Sequence, residues 1–322
     1  MSNVNLSDAQ AGRDFASLKA VLHEAYASTD TPKVIGPDTG GCSDKKGGTM
    51  AKVLSGKPPL DVVTFHHCES SAAPFASTCE PENRRRTDAL AGGNWAGPPN
   101  HPRGWKWTVE DVVAAALSNV TETDVKGYVD AMRQAGLLGS VPLWLGEGAT
   151  TYSQPLDQSF ATLYNNLNIL KQTGLNGVQV FAKQSLPDFF GNDGQPTPVY
   201  YFAVLWKRLM GQSVYRATSP VETLVLAARS RKQQEPAVAG GGFVVAAANL
   251  GAEPATLALR GTNCKLFLLT PVTDPSGVGT KLNGKELSVD GEDGTLPPME
   301  GEAASCGQVR LAPMAVGFIV VA

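Results

Sequence analysis

Four short apolar runs, set among stretches of helical period, constrain this chain more than any other feature. They read "PKVIGPD", "PLDVVTFHH", "VPLWLGE" and "NGVQVFAKQ", and they end near Asp38, His67, Glu147 and Gln184. A parallel strand buried on both faces is a near-continuous apolar run, and parallel neighbours need crossover connections, usually helices. Helical spacing puts Phe15, Leu18, Val21, Leu22 and Ala25 on one face of a helix over 14–27. It puts Val125, Tyr128 and Met132 on one face over 122–135. Thr108 opens a further helix with Asp111 in the capping-box position. Phe160, Leu163, Leu167 and Leu170 mark another, which Gly174 is expected to close as its C-cap. A last helix runs over 199–210 and ends at Gly211.

Beyond about residue 214 the helical period disappears. "ETLVLAARS", "GGFVVAAANLG", "ATLALRG", "CKLFLLTPV", "LNGKELSV" and "MAVGFIVVA" follow one another between turn residues, as in an antiparallel sandwich or small barrel. The expected fold class is α/β plus all-β, with a β/α domain over residues 1–212 and a β domain over 213–322. A chain of 322 residues is long enough for that division.

Composition excludes several functions. Lys+Arg 27 nearly balances Asp+Glu 30, and no basic stripe alternates with aromatics, so no nucleic-acid partner is expected. No apolar run reaches the roughly 18–20 residues of a transmembrane segment. "MSNVNLSDAQAGRDF" has no apolar core, so no signal peptide is visible. The five cysteines, Cys42, Cys68, Cys79, Cys264 and Cys306, are widely spaced and form no CxxC pair. With only four histidines, neither a metal site nor a cofactor is expected. A long irregular insert, from about Cys68 to Lys106, carries Arg84, Arg85, Arg86, Trp95 and Trp105, with Trp107 just beyond it. Loop packing for the tryptophans and a solvated loop for the arginines are the expected readings, ahead of sugar stacking or attraction to an acidic polysaccharide.

The polar groups stand at the carboxyl ends of the runs: Asp38, then His66 and His67, then Glu147, then Lys183 and Gln184. Ligands bind at the carboxyl ends of parallel strands, so four such ends in succession read as one side of a site. Helix caps and loop residues would give the same pattern. On spacing alone Glu147 could be a base, a nucleophile or a metal ligand. Glycoside hydrolysis needs two carboxylates flanking the scissile bond, and the sequence offers one convincing candidate.

Taken together and in order, "KVIGPDTGG", "VVTFHH", "VPLWLGEGATTY", "VFAKQSL" and "VYYFAVLWKRLMG" resemble the heparanase family, glycoside hydrolase family 79. The resemblance runs from about residue 12 to the C-terminus, outside the insert. It implies the C-terminal half of a (β/α)8 TIM barrel, strands five to eight, followed by an antiparallel β-sandwich. It implies a retaining hydrolase of the endo-β-glucuronidase type acting on an acidic polysaccharide or glycoconjugate. Glu147 matches the family's nucleophile, His66 a histidine that borders the site, and Gln184 a glutamine that faces the bound sugar. Asp38 lies in the first matching motif and is grouped with His66 and Gln184 as substrate-binding. The family pairs two cysteines in its C-terminal domain, which implies a Cys264–Cys306 disulfide. An extracellular, lysosomal or cell-surface location, with association at a membrane surface, is implied in the same way.

The resemblance has gaps. The family's acid/base Glu lies in an Asn-Glu-Pro stretch expected just upstream of the helix at Asp14, and this sequence begins at Met1. "CEPEN" at 79–83 follows no strand and is read as coincidence. Gly41 and Ser43 stand where animal heparanases carry Gln and Arg, Cys68 replaces an aromatic residue, and Phe190 replaces a Tyr. The competing expectation is a non-catalytic carbohydrate-binding or structural relic. Four parallel strands alone also leave an open edge, which predicts association through that edge.

Overall fold

The computed structural model describes residues 8–26, 31–39, 47–68, 108–149, 156–183, 188–191, 193–232, 242–289 and 294–321. Gln184, Gly41, Ser43 and the insert with its arginines and tryptophans lie outside them. The chain divides into two compact units. The first takes in Met1–Gly104, Asn119–Gly148 and Gln172–Lys183, and the second Trp105–Ser118, Ala149–Lys171 and Gln184–Ala322. Residue 212 falls inside a strand of the second unit.

The first unit holds a four-stranded sheet in sequential order: β1 (Ile35–Thr39), β2 (Val62–Cys68), β3 (Leu143–Ala149) and β4 (Val180–Lys183). β1 pairs with β2, and β3 with β4, in parallel. Helices α1 (Asp8–Ala25), α2 (Gly48–Ser55) and α4 (Val120–Gln134) belong to this unit, while α3 (Val109–Leu117) belongs to the second. The β-branched run of β2 is buried at Val62, Val63, Thr64 and Phe65. Alternation sends Phe65 and His67 to the same side of the strand. On that side Phe65 stacks on Tyr128 of α4, ring centroids 4.3 Å apart, and His67 Nδ1 lies 3.4 Å from Asp124 Oδ2 of the same helix. His67 is therefore buried against a helix, apart from its sequence neighbour His66. The expected apolar face of α4 is confirmed, since Val125, Tyr128 and Met132 are all buried.

The face expected for α1 needs correction. Gly12 is buried and Phe15, Lys19 and Leu22 are half-buried, while Leu18 is 46% and Val21 59% exposed. One reason is Lys19, whose Nζ donates to Asp61 Oδ1 at 2.7 Å and so holds that stripe inward. Asp61 Oδ2 in turn accepts from Val34 N–H at 2.8 Å, tying the entry of β1 to that of β2. Burial acts to raise the Asp61 pKa, but the hydrogen bonds from Lys19 and Val34, with the Lys19 and Lys33 charges, outweigh it and hold the carboxyl below its ordinary value. A depressed folded pKa stabilises above the unfolded value, and that stability is lost as pH falls through the folded one. Asp61→Asn is expected to lose about 1 kcal/mol at neutral pH. The difference from wild type should shrink below about pH 4. Urea titrations of both proteins at pH 7 and pH 3 check this, and an equal gap at both values would refute it.

In the second unit, α3 starts at the expected capping box. Asp111 N–H donates to Thr108 Oγ1 at 3.2 Å, and Thr108 N–H donates to Asp111 Oδ2 at 2.8 Å. The next helix, α5 (Thr162–Leu175), runs through Gly174, so the expected C-cap there is not found. Gly177, at φ 76°, is the residue that turns left-handed after the helix. α6 (Pro198–Leu209) passes directly into β5 (Met210–Tyr215). There follow β6 (Leu224–Arg231), β7 (Phe243–Asn249), β8 (Ala255–Leu257), β9 (Cys264–Pro271), β10 (Thr280–Leu282), β11 (Lys285–Glu286), β12 (Glu302–Ala304), β13 (Val309–Leu311) and β14 (Val316–Val321). They form an eight-stranded sheet in the order β11-β10-β9-β14-β7-β6-β5, with β12 also on β9, and a two-stranded sheet of β8 and β13. The β10–β11 hairpin turns on Asn283-Gly284, both at positive φ, as a tight hairpin turn demands.

Period-two alternation gives the large sheet two cores. Val225, Ala227, Val244, Ala246, Phe267, Phe318 and Val320 pack with Leu163, Tyr164, Leu167, Phe202 and Leu205 of the helices. Leu226, Ala228, Val245, Ala247 and Ile319 pack on the other face with Leu257, Val309 and Leu311 of the small sheet. The second β layer is thus only two strands, because helices occupy the opposite face. Cys264 and Cys306 form a disulfide within this second core.

Candidate active site at the strand ends

The registers of β1 and β3 both break at a carboxylate. Pro37 aligns with Thr64 and Thr39 with Phe65, so Asp38 is an extra residue in β1. Leu145 aligns with Phe181 and Gly148 with Lys183, so β3 gains one residue across Gly146 and Glu147. A bulge of this kind re-aims a side chain. Strict alternation would send Glu147 to the side of Leu145, which is fully buried. Instead Glu147 turns toward His66. Asp38 sits at φ 57°, a left-handed conformation that Asp and Asn tolerate better than most residues.

The two carboxylates approach His66 from its two ring nitrogens. His66 Nε2 lies 2.7 Å from Asp38 Oδ2, a hydrogen bond, and His66 Nδ1 lies 3.6 Å from Glu147 Oε2, an ion-pair distance. The His66, Glu147 and Asp38 side chains are 29%, 31% and 48% exposed, so the group is accessible from solvent. Both contacts can be made by N–H donors only when the ring is an imidazolium.

The structure brings together Asp38, His66 and Glu147 of the residues expected at the site. His67 faces α4, and Lys183 is half-buried at the end of β4. Among the described residues no group of three His, Cys, Asp or Glu side chains could hold a metal ion. Gly146 was not singled out by sequence reasoning. A Cβ built there would come 2.4 Å from Asp38 Oδ1 and 3.2 Å from Thr64 Cβ, so the absent side chain is the space the Asp38 carboxylate occupies. The signal available in the sequence was the pair of glycines flanking Glu147.

No family model matches the chain. It is similar to heparanase-like protein 2 of Arabidopsis thaliana, 26% identical over 212 residues, which are 63% of this chain and 33% of that protein. Heparanase-like protein 1 of the same plant gives 26% over 211 residues, with the same shares of each chain. The chain thus spans about a third of the length of the curated relatives it matches. Among solved structures, a Paenibacillus polymyxa xyloglucanase of glycoside hydrolase family 44 superposes with TM-score 0.56 at 13% identity, covering 98% of this chain and 61% of that one. AbfB, a family 51 α-L-arabinofuranosidase from Bifidobacterium longum, gives 0.57 at 14%, covering 98% and 64%. At these identities the two structures speak for the fold alone.

Proposed function

We propose that the chain is the nucleophile-bearing part of a retaining glycoside hydrolase of the endo-β-glucuronidase type, acting on an acidic polysaccharide or glycoconjugate. The observation that carries the reading is the convergence of two bulged strand ends on His66, with Glu147 turned out of its alternation toward that ring. Similarity to heparanase-like proteins supports the same class. In this reading the sheet is strands five to eight of a (β/α)8 barrel, Glu147 attacks the anomeric carbon, and His66 and Gln184 border the sugar. Asp38, expected to bind substrate, has its carboxylate hydrogen-bonded to His66. A secreted, lysosomal or cell-surface location belongs to the proposal and agrees with the disulfide, because such bonds persist in oxidising compartments.

Activated substrates test this reading. With a dinitrophenyl 2-deoxy-2-fluoro-β-glucuronide, the bond between C1 and the aryl oxygen breaks as C1 bonds to a Glu147 oxygen. The phenolate leaves with the electron pair and needs no proton, so the acid/base residue is not required. Expected is one covalent glycosyl group per chain, mapped by peptide mass to Glu147, and no turnover of unactivated heparan sulfate. Absence of any label from glucuronide, xyloside and arabinofuranoside reagents alike would favour the non-catalytic, carbohydrate-binding reading.

A further inference from the structure

The geometry points to Asp38 as a positioning residue for the nucleophile, acting through His66, with Gly146 as the gap that lets it do so; this rests on the reading of Glu147 above. Asp38 makes no contact of its own with Glu147 among the hydrogen bonds and ion pairs of the site. Its Oδ2 fixes the Nε2 edge of the imidazole at 2.7 Å, which leaves Nδ1 directed at Glu147. Both neighbours are carboxylates, which accept when ionised, but only the Asp38 oxygen is within hydrogen-bond distance, so in the neutral ring the shorter contact favours the proton on Nε2. Any second proton is then on Nδ1, where it meets the Glu147 oxygen. The ring is thus oriented from the edge opposite Glu147, as an acid orients a histidine in hydrolases, here with a carboxylate that is 48% exposed rather than buried.

Two backbone features support this assignment. Asp38 is the extra residue of the β1 bulge and carries a left-handed φ, so the strand is distorted at the position that delivers the carboxylate. On β3, one strand beyond the β2 partner of β1, the other Asp38 oxygen fills the volume where a Gly146 side chain would stand. A carboxylate that merely touched substrate would need neither the hydrogen bond to His66 nor a vacated position in β3. The pattern Gly146-Glu147 then has a physical meaning: the glycine makes room for the acid that aligns the histidine, and the glutamate receives the histidine's other edge.

The test uses Asp38→Asn, because Asn tolerates the left-handed backbone and keeps the size of the side chain, together with Gly146→Ala and Asp38→Leu. The first readout is independent of chemistry. In long-range 1H–15N spectra of the full chain, the neutral His66 ring is expected as the Nε2–H tautomer in wild type, and as a mixture in Asp38→Leu and Gly146→Ala. The second readout is labelling of Glu147 by the fluoroglucuronide, resolved into the maximal rate and the half-saturating concentration. Asp38→Asn is expected to lower the maximal rate by about 10- to 100-fold and to change half-saturation by less than about 3-fold, as for loss of alignment. An unchanged His66 tautomer in Asp38→Leu, or a change confined to half-saturation, would overturn the positioning role and return Asp38 to substrate binding. Lack of any Glu147 label in wild type would instead defeat the glycosidase reading, while the spectra would still decide whether Asp38 sets His66.

Discussion

Glu147→Gln is expected to abolish formation of the glycosyl-enzyme, lowering the labelling rate at residue 147 by on the order of a thousandfold or more. The amide keeps the size and the two polar atoms of the carboxylate, so packing at the end of β3 should hardly change. With its side chain about a third exposed, the substitution should alter stability by no more than about 0.5 kcal/mol. Only the negative charge and its nucleophilic lone pair are lost. Glu147→Ala takes the argument further. It leaves a gap beside His66 Nδ1 that a small anion such as azide can enter. Azide would attack from the side the carboxylate had used, so the product would be the glycosyl azide with inverted anomeric configuration, readable by NMR. Labelling of Glu147→Gln at the wild-type rate would move the nucleophile to another residue. Inertness of wild type, variant and azide-supplemented variant alike would leave only binding.

The parts of this fold that could be read from the sequence are those where one physical signal acted alone. The apolar runs of β2 and β3 are buried as expected at Val63, Phe65, Leu143 and Leu145. The Thr108–Asp111 capping box is made by the two residues that predicted it. All six alternating segments after residue 214 contribute strands of the antiparallel sheets. Where two signals competed, the sequence was ambiguous. The apolar face read for α1 competes with the salt bridge from Lys19 to Asp61, and the stripe that turns inward is displaced to Gly12, Phe15, Lys19 and Leu22. Gly174 is the expected end of α5, but the helix runs past it and Gly177 takes the left-handed φ.

Polar helices mislead in a different way. Asn165, Asn166 and Asn168 of α5 would read as a solvated face, yet all three are at most 2% exposed. At the site, the residues were legible and their roles were not. His66 and His67 are adjacent and chemically identical, and only strand alternation separates a ring facing two carboxylates from one buried against α4. The bulges that bring Asp38 and Glu147 to His66 depend on register, which is a property of paired strands rather than of either sequence segment.

Removing the Cys264–Cys306 bridge is expected to destabilise the protein by about 2–4 kcal/mol, which for a domain of this size is a fall in Tm of roughly 5–10 °C. The bridge closes a sequence separation of 42 residues that contains β9 through β12, and without it the unfolded chain regains the freedom of that whole segment. Cys264 and Cys306 are both buried in the core between the large sheet and the β8–β13 pair. The suitable variant is therefore Cys264→Ala with Cys306→Ala, since serine would add unpaired buried hydroxyls and exaggerate the loss. Melting curves of wild type should fall with added reductant toward those of the double variant, whose own curve should not respond. In protein folded under oxidising conditions, alkylation of these two cysteines should require prior reduction. Modification of both without it would refute the bond. A reductant-independent melt in wild type would mean that this core holds without the link, and would remove the support the disulfide lends to a secreted or lysosomal location.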